Sequence, residues 1–196
     1  MGFFWLTVKK KGDNQHEVPK GLENSYIKCD SRLQKLFLLM KLIFKNKGKK
    51  IIVFFNTCHE VSFYHKLFSR WIGDRSQVYG KLQVQKITGN MDQTKRVNNL
   101  NAFSLAESGI MVATDVIARG IDFDHVDLIV QVDVPQDPSF YIHRIGRTAR
   151  KGLEGHAILL LNKNEADYVD YMGEKQIPLQ ELSDSEVTKF KPAELT

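Results

Sequence analysis

Apolar runs of strand length alternate with helix-like segments along most of this chain, and no other feature constrains the fold as strongly. Lys50 to Asn56 (KIIVFFN) is a continuous apolar run of the kind buried on both faces of a parallel sheet. Further strand-like runs stand at Ser25 to Cys29, Val84 to Thr88, Ile110 to Ala113, Leu128 to Val132 and Ala157 to Leu161. Between them lie helical patterns at Ser31 to Phe44, Glu60 to Trp71, Asp92 to Leu105 and Asn164 to Met172. Such alternation predicts a parallel α/β sheet with helices on its faces. Helix-start signals agree: Asp30 or Ser31 precedes the first helix, and Asp92 opens the third. Asp137-Pro138 opens another helix, which the pattern carries towards Arg147. The first helix is apolar on more than one face, which predicts that it is well buried.

The length of 196 residues suits one domain with a sizeable core. Residues 22–182 read as that domain, preceded by a lead-in or linker over 1–21, polar from residue 9, and followed by a loose tail over 183–196. The opening MGFFWLTV is apolar but has no basic leader, so it reads as a strand remnant or an appended segment rather than a secretory signal. A net charge of +5 and a pI near 9.1 fit a polyanionic partner without requiring one. Cys29 and Cys58 suggest neither a disulfide framework nor a metal site, which points to a reducing intracellular compartment. The longest apolar run, Leu36 to Phe44, is interrupted by Lys41 and is too short to span a bilayer, so no membrane role is expected. Apart from His143, the histidines are scattered without ligand spacing, and no protein-bound metal is expected. Phe and Tyr sit mostly in apolar runs and read as core rather than as a stacking platform for bases.

Four segments carry chemistry. Tyr141 to Arg150 (YIHRIGRTAR) places Arg144, Arg147 and Arg150 at three-residue spacing beside His143. On a continuous helix they would share one broad face, and a guanidinium fork suits phosphate oxygens. A solvated basic face is the plainer alternative. Met111 to Phe123 (MVATDVIARGIDF) ends an apolar run at Thr114-Asp115 and continues through Arg119-Gly120-Ile121-Asp122. Thr88 to Arg96 (TGNMDQTKR) sets Gly89 after a strand and puts Gln93 and Arg96 on one face of the next helix. Val53 to Cys58 (VFFNTC) puts Asn56 and Thr57 at a strand's carboxyl end, where ligand sites of open α/β sheets gather. From the residues alone, these two either touch a nucleic-acid backbone or cap the next helix.

Taken together, the second and first of these segments resemble motifs V and VI of the DEAD-box RNA helicases. Gly89, Met91, Gln93 and Arg96 are similar to the family's G-x-M-x-Q-x-x-R motif, and the VFFNTC segment resembles its looser motif IV. The resemblance covers about residues 18–182. It implies the family's C-terminal RecA-like domain, a parallel β-sheet sandwiched by helices. It further implies RNA-backbone contacts at Asn56, Thr57, Gly89, Gln93, Arg96 and Thr114, where a hydroxyl and a backbone N–H would hold a phosphate. Gly120 and Asp122 would bind ATP, the aspartate at the ribose, unless Asp122 only caps its turn. Arg147 and Arg150 would be catalytic arginine fingers on the γ-phosphate. Asp115 would organise its loop, through Arg144 or Arg119, and His143 and Arg144 would link motif VI to the partner domain and to motif V.

No G-x-x-x-x-G-K-[ST] loop and no Asp-Glu-Ala-Asp segment occurs here. By the resemblance both belong to an N-terminal RecA-like half, which would hold most of the ATP and its Mg²⁺. This chain alone is therefore expected to be inactive, and that half is its expected partner, with RNA as the ligand. Ala149 replaces the more familiar Gly of motif VI. Together with VPKGLENSYI (18–27) and QIPLQEL (176–182), it resembles DEAD-box proteins of ribosome assembly. That similarity implies pre-ribosomal particles as partners and a nuclear or nucleolar location. Two other readings compete: a non-catalytic RNA-binding or scaffold module, and a translocating helicase of another class.

Overall fold

The computed structural model describes residues 5–6, 18–19, 21–117, 125–150 and 152–183. Seven parallel strands form one sheet: β3 (Leu22–Cys29), β4 (Lys50–Phe54), β5 (Gln83–Ile87), β6 (Gly109–Ala113), β7 (Leu128–Gln131), β8 (Gly155–Asn162) and β9 (Gln180–Glu181). Their spatial order is β5-β6-β4-β7-β8-β3-β9. A separate antiparallel pair joins β1 (Trp5–Leu6) to β2 (Val18–Pro19). The fold class is the expected one, a parallel sheet with helices on both faces.

Side chains alternate across the pleat, and each set meets its own helical layer. Ile51, Val53, Ile110, Val112 and Val130 pack on one face with α1 (Arg32–Lys45), α2 (Cys58–Gly73) and the short α3 (Ser76–Tyr79). Ile52, Phe54, Met111, Ile129 and Leu159 pack on the other. There they meet Phe103 of α4 (Gln93–Leu105), Tyr141 and Ile145 of α5 (Pro138–Ile145), and Met172 of α6 (Asp167–Glu174). Burial on both faces explains why the central strands are apolar throughout rather than alternating.

Local chemistry sets the helix starts. The side chains of Ser31, Asp92 and Asp137 accept backbone N–H groups of Gln34, Thr94 and Ser139. Pro138 takes the first helical position after Asp137, where its missing N–H is harmless. Lys35 is buried in α1, its Nζ donating to the Val132 carbonyl at 2.9 Å and pairing with Glu165 at 3.2 Å.

One expectation needs correction. The α1 helix is not covered all round, since Leu33 is 60% and Phe37 57% exposed on its outer side. The α5 helix runs towards Arg147 as expected and ends at Ile145. Gly146 caps it, and Ala149 then adopts a φ of 51°. An Ala in that left-handed region carries a backbone cost of about 1–2 kcal/mol that Gly would not. Val18–Pro19 forms a strand inside the segment expected to be a linker. The short α3 and β9 have no counterpart in the sequence reading, being too brief to show periodicity.

Candidate functional site

Three segments expected to touch nucleic acid lie far apart in sequence but follow three neighbouring strands. The turn at Gly89 follows β5, Thr114 follows β6, and Asn56-Thr57 follow β4. All three sit at the carboxyl edge of the sheet, where strand ends splay and helix N-termini begin.

After β4, Thr57 caps α2. Its hydroxyl accepts the Glu60 N–H at 3.2 Å and donates to the Glu60 carboxylate at 2.8 Å. Asn56 is exposed, yet its side chain is engaged. Its Nδ2 donates to the Val134 carbonyl at 2.8 Å and its Oδ1 accepts from Arg144 at 2.8 Å. Its own N–H donates to Asp133 at 3.1 Å.

After β5, Gly89 occupies a turn closed by the Met91 N–H on the Thr88 carbonyl. A Cβ added at Gly89 would meet nothing within 4 Å. The domain's own packing therefore does not demand glycine there, whereas a ligand lying against the turn would. Arg96 is half-buried, and its Nη2 donates to the carbonyls of Gly89 and Met91 at 3.2 and 3.4 Å. It thus braces the glycine turn from behind. Gln93, the first residue of α4, is exposed.

After β6, Thr114 is buried, and its N–H donates to the Ile87 carbonyl at 3.2 Å. Its own N–H is therefore taken up by β5. Arg119, Gly120 and Asp122 lie outside the described residues.

Arg144 ties these segments together. It is fully buried, with Nε donating to Asp115 Oδ1 at 2.5 Å and Nη2 to Oδ2 at 3.0 Å. Nη2 also reaches Asn56, and Nη1 donates to the Asp133 carbonyl at 2.9 Å. The Gln131 side chain accepts a longer contact at 3.4 Å, and the guanidinium carbon stands 5.3 Å from the Phe54 ring centre. One residue of α5 is therefore bonded to the chain beyond β4, β6 and β7. A buried guanidinium needs such a set of acceptors, because a charge left unpaired in a core is very costly. Burial raises the Asp133 carboxyl above its ordinary range, an effect opposed by the Asn56 N–H that it accepts.

The three arginines do not share a face. Arg144 points into the core, while Arg147 and Arg150 are half-buried in the turns past the end of α5. Arg147 Nε donates to the His143 carbonyl at 3.2 Å, and Arg150 Nε to the Gly146 carbonyl at 2.7 Å. Between them, the hydroxyl of buried Thr148 donates to the Val126 carbonyl. His143 is half-buried on α5.

Sequence reasoning missed Gln131, Asp133 and Thr148. A polar residue interrupting the apolar run LIVQV was the available signal for Gln131. Nothing in the local pattern marks the other two. Among the described residues, no group of three or more His, Cys, Asp or Glu could hold a metal ion, and no helix is long and apolar enough to cross a membrane.

Comparison with known proteins gives a consistent picture. Residues 34–152 match the model of the helicase conserved C-terminal domain. The chain is 44% identical over 172 residues to the probable ATP-dependent RNA helicase pitchoune of Drosophila melanogaster, covering 87% of this chain and 24% of that protein. It is 39% identical over 182 residues to the ATP-dependent RNA helicase HAS1 of Saccharomyces cerevisiae, covering 92% and 34%. Among solved structures, domain 2 of the DEAD-box helicase Mss116p bound to an RNA duplex superposes with a TM-score of 0.73 at 29% identity. That match covers 88% of this chain and 70% of the other. The chain thus spans 24% and 34% of the length of these curated relatives.

Proposed function

This chain belongs to the helicase conserved C-terminal domain family and is the C-terminal RecA-like domain of a DEAD-box helicase, and from that premise we propose how it serves the two-domain enzyme. In this reading, Arg147 and Arg150 are arginine fingers for ATP whose phosphates are cradled by the N-terminal RecA-like half. An arginine finger contributes about 10³-fold or more to phosphoryl transfer. The edge formed by Gly89, Gln93, Arg96, Thr114 and the Asn56-Thr57 turn grips the sugar-phosphate backbone of RNA. Backbone contacts of this kind give weak sequence preference and marked salt dependence. Asp122 with Gly120 serves the nucleotide ribose, and Arg119 and His143 face the partner half. Mg²⁺ accompanies the ATP in the other half.

The observation that carries this reading is the placement of Arg144. It bonds Asn56 of the RNA edge and Asp115 beside it, and stands three residues before Arg147. Closure of the two halves on RNA and ATP would then set both sites through α5 and the turn that follows it. Nucleotide and RNA affinities are accordingly coupled, and a short duplex is opened locally rather than by translocation. Ala149 and the segments 18–27 and 176–182 favour a role in ribosome assembly, with pre-ribosomal particles as partners and a nucleolar location.

The test is ATP turnover by this chain alone and by the same chain joined to a DEAD-box N-terminal half, each with and without RNA. We expect background rates alone and RNA-stimulated turnover when joined. Turnover well above background by the chain alone would overturn the division of labour.

A further inference from the structure

We infer that Gly155 is a positioning residue for the loop that bears Arg147 and Arg150, and that it acts through the side chain it lacks. The inference rests on the arginine-finger reading above. Gly155 is the first residue of β8 and is fixed there on its other side, pairing with Leu22 and donating its N–H to the Gly21 carbonyl at 3.1 Å.

The arginine loop lies directly against it. A Cβ built on Gly155 would stand 2.5 Å from the backbone nitrogen of Ala149 and 3.0 Å from the Thr148 Cβ, and would overlap the Thr148 hydroxyl. The flexible end of a long side chain could swing away from such a clash, but these groups cannot. Thr148 is 1% exposed with its hydroxyl on the Val126 carbonyl, and Ala149 is already in the left-handed region. Any side chain at 155 therefore moves the backbone between the two arginines.

Restoring ordinary contact distances requires a shift of roughly 1 Å, which is enough to cost a misplaced catalytic group about 10²-fold. Glycine at 155 is thus not explained by strand conformation, since its φ is ordinary. It is explained by how closely the loop must be seated.

The experiment is steady-state, RNA-stimulated ATP hydrolysis by the two-domain enzyme carrying Gly155→Ala, beside wild type and Arg147→Ala. Phe68→Leu, in the core on the opposite face of the sheet, serves as a control for stability loss. All are measured well below their thermal midpoints. We expect Gly155→Ala to lower kcat by tenfold or more with nucleotide-free RNA affinity unchanged, while Phe68→Leu keeps its kcat. Should Gly155→Ala fail to fold, Thr148→Val removes the Val126 bond while keeping the branched shape, and its kcat is expected to fall several-fold. A kcat within twofold of wild type for the folded Gly155→Ala, or for Thr148→Val in its place, overturns the inference while the finger reading stands. Wild-type turnover by Arg147→Ala would remove that reading and the inference with it.

Discussion

Arg144 and Asp115 form a two-point ion pair, Nε to Oδ1 at 2.5 Å and Nη2 to Oδ2 at 3.0 Å, across 29 residues of sequence. The guanidinium side is fully buried and the carboxylate side is 27% exposed. Removing one partner of such a pair strands the other. Asp115→Ala is expected to destabilise this domain by about 3 kcal/mol, because the arginine keeps only neutral acceptors. Chemical denaturation of the isolated domain measures this. A loss below about 1 kcal/mol would mean that Asn56, Gln131 and the Asp133 carbonyl suffice to hold the charge.

Gly89 separates a folding role from a ligand role. With open space around a Cβ and an ordinary φ, Gly89→Ala should leave stability unchanged or raise it by about 0.4–1 kcal/mol. RNA affinity of the two-domain enzyme should nonetheless fall about tenfold, equivalent to about 1.4 kcal/mol. Stability and RNA affinity measured on the same variant decide the matter. Unchanged affinity would take Gly89 off the RNA edge.

Much of this was legible in the sequence, and the reasons are physical. Helix starts are written locally, so Ser31, Asp92 and Asp137 could be read as caps from their neighbours. The central strands announced themselves because burial on both faces leaves little room for polar residues. The pairing of Arg144 with Asp115 was one of the two readings the resemblance offered for Asp115, and the structure realises it. Its other acceptors, at residues 56, 131 and 133, were not legible, since only the topology assembles them. The even spacing of Arg144, Arg147 and Arg150 suggested one helical face, but Gly146 ends the helix and sends the last two elsewhere. The glycine at 155 looked ordinary because its neighbours Thr148 and Ala149 reach it through space.

Asp133 makes the hub sensitive to pH. Burial raises its pKa above the unfolded value, so the folded state binds the proton more tightly than the unfolded chain does. Its contribution to stability is therefore fully present below the ordinary carboxylate pKa and is lost as pH rises through the raised one. Asp133→Asn keeps an acceptor for the Asn56 N–H and removes the buried charge. We expect a higher thermal midpoint at pH 7 than wild type, with the difference vanishing in acid. A midpoint that is lower at pH 7 would show that the carboxylate is needed as a charge beside Arg32 and Lys35.

The central claim is that Arg147 completes an ATP site held by the other half of the enzyme. RNA-stimulated ATP hydrolysis by the two-domain protein, wild type beside Arg147→Ala, tests it most directly. The account predicts a loss of kcat on the order of 10³-fold with RNA binding and thermal stability intact. Equal rates in the two proteins would contradict it.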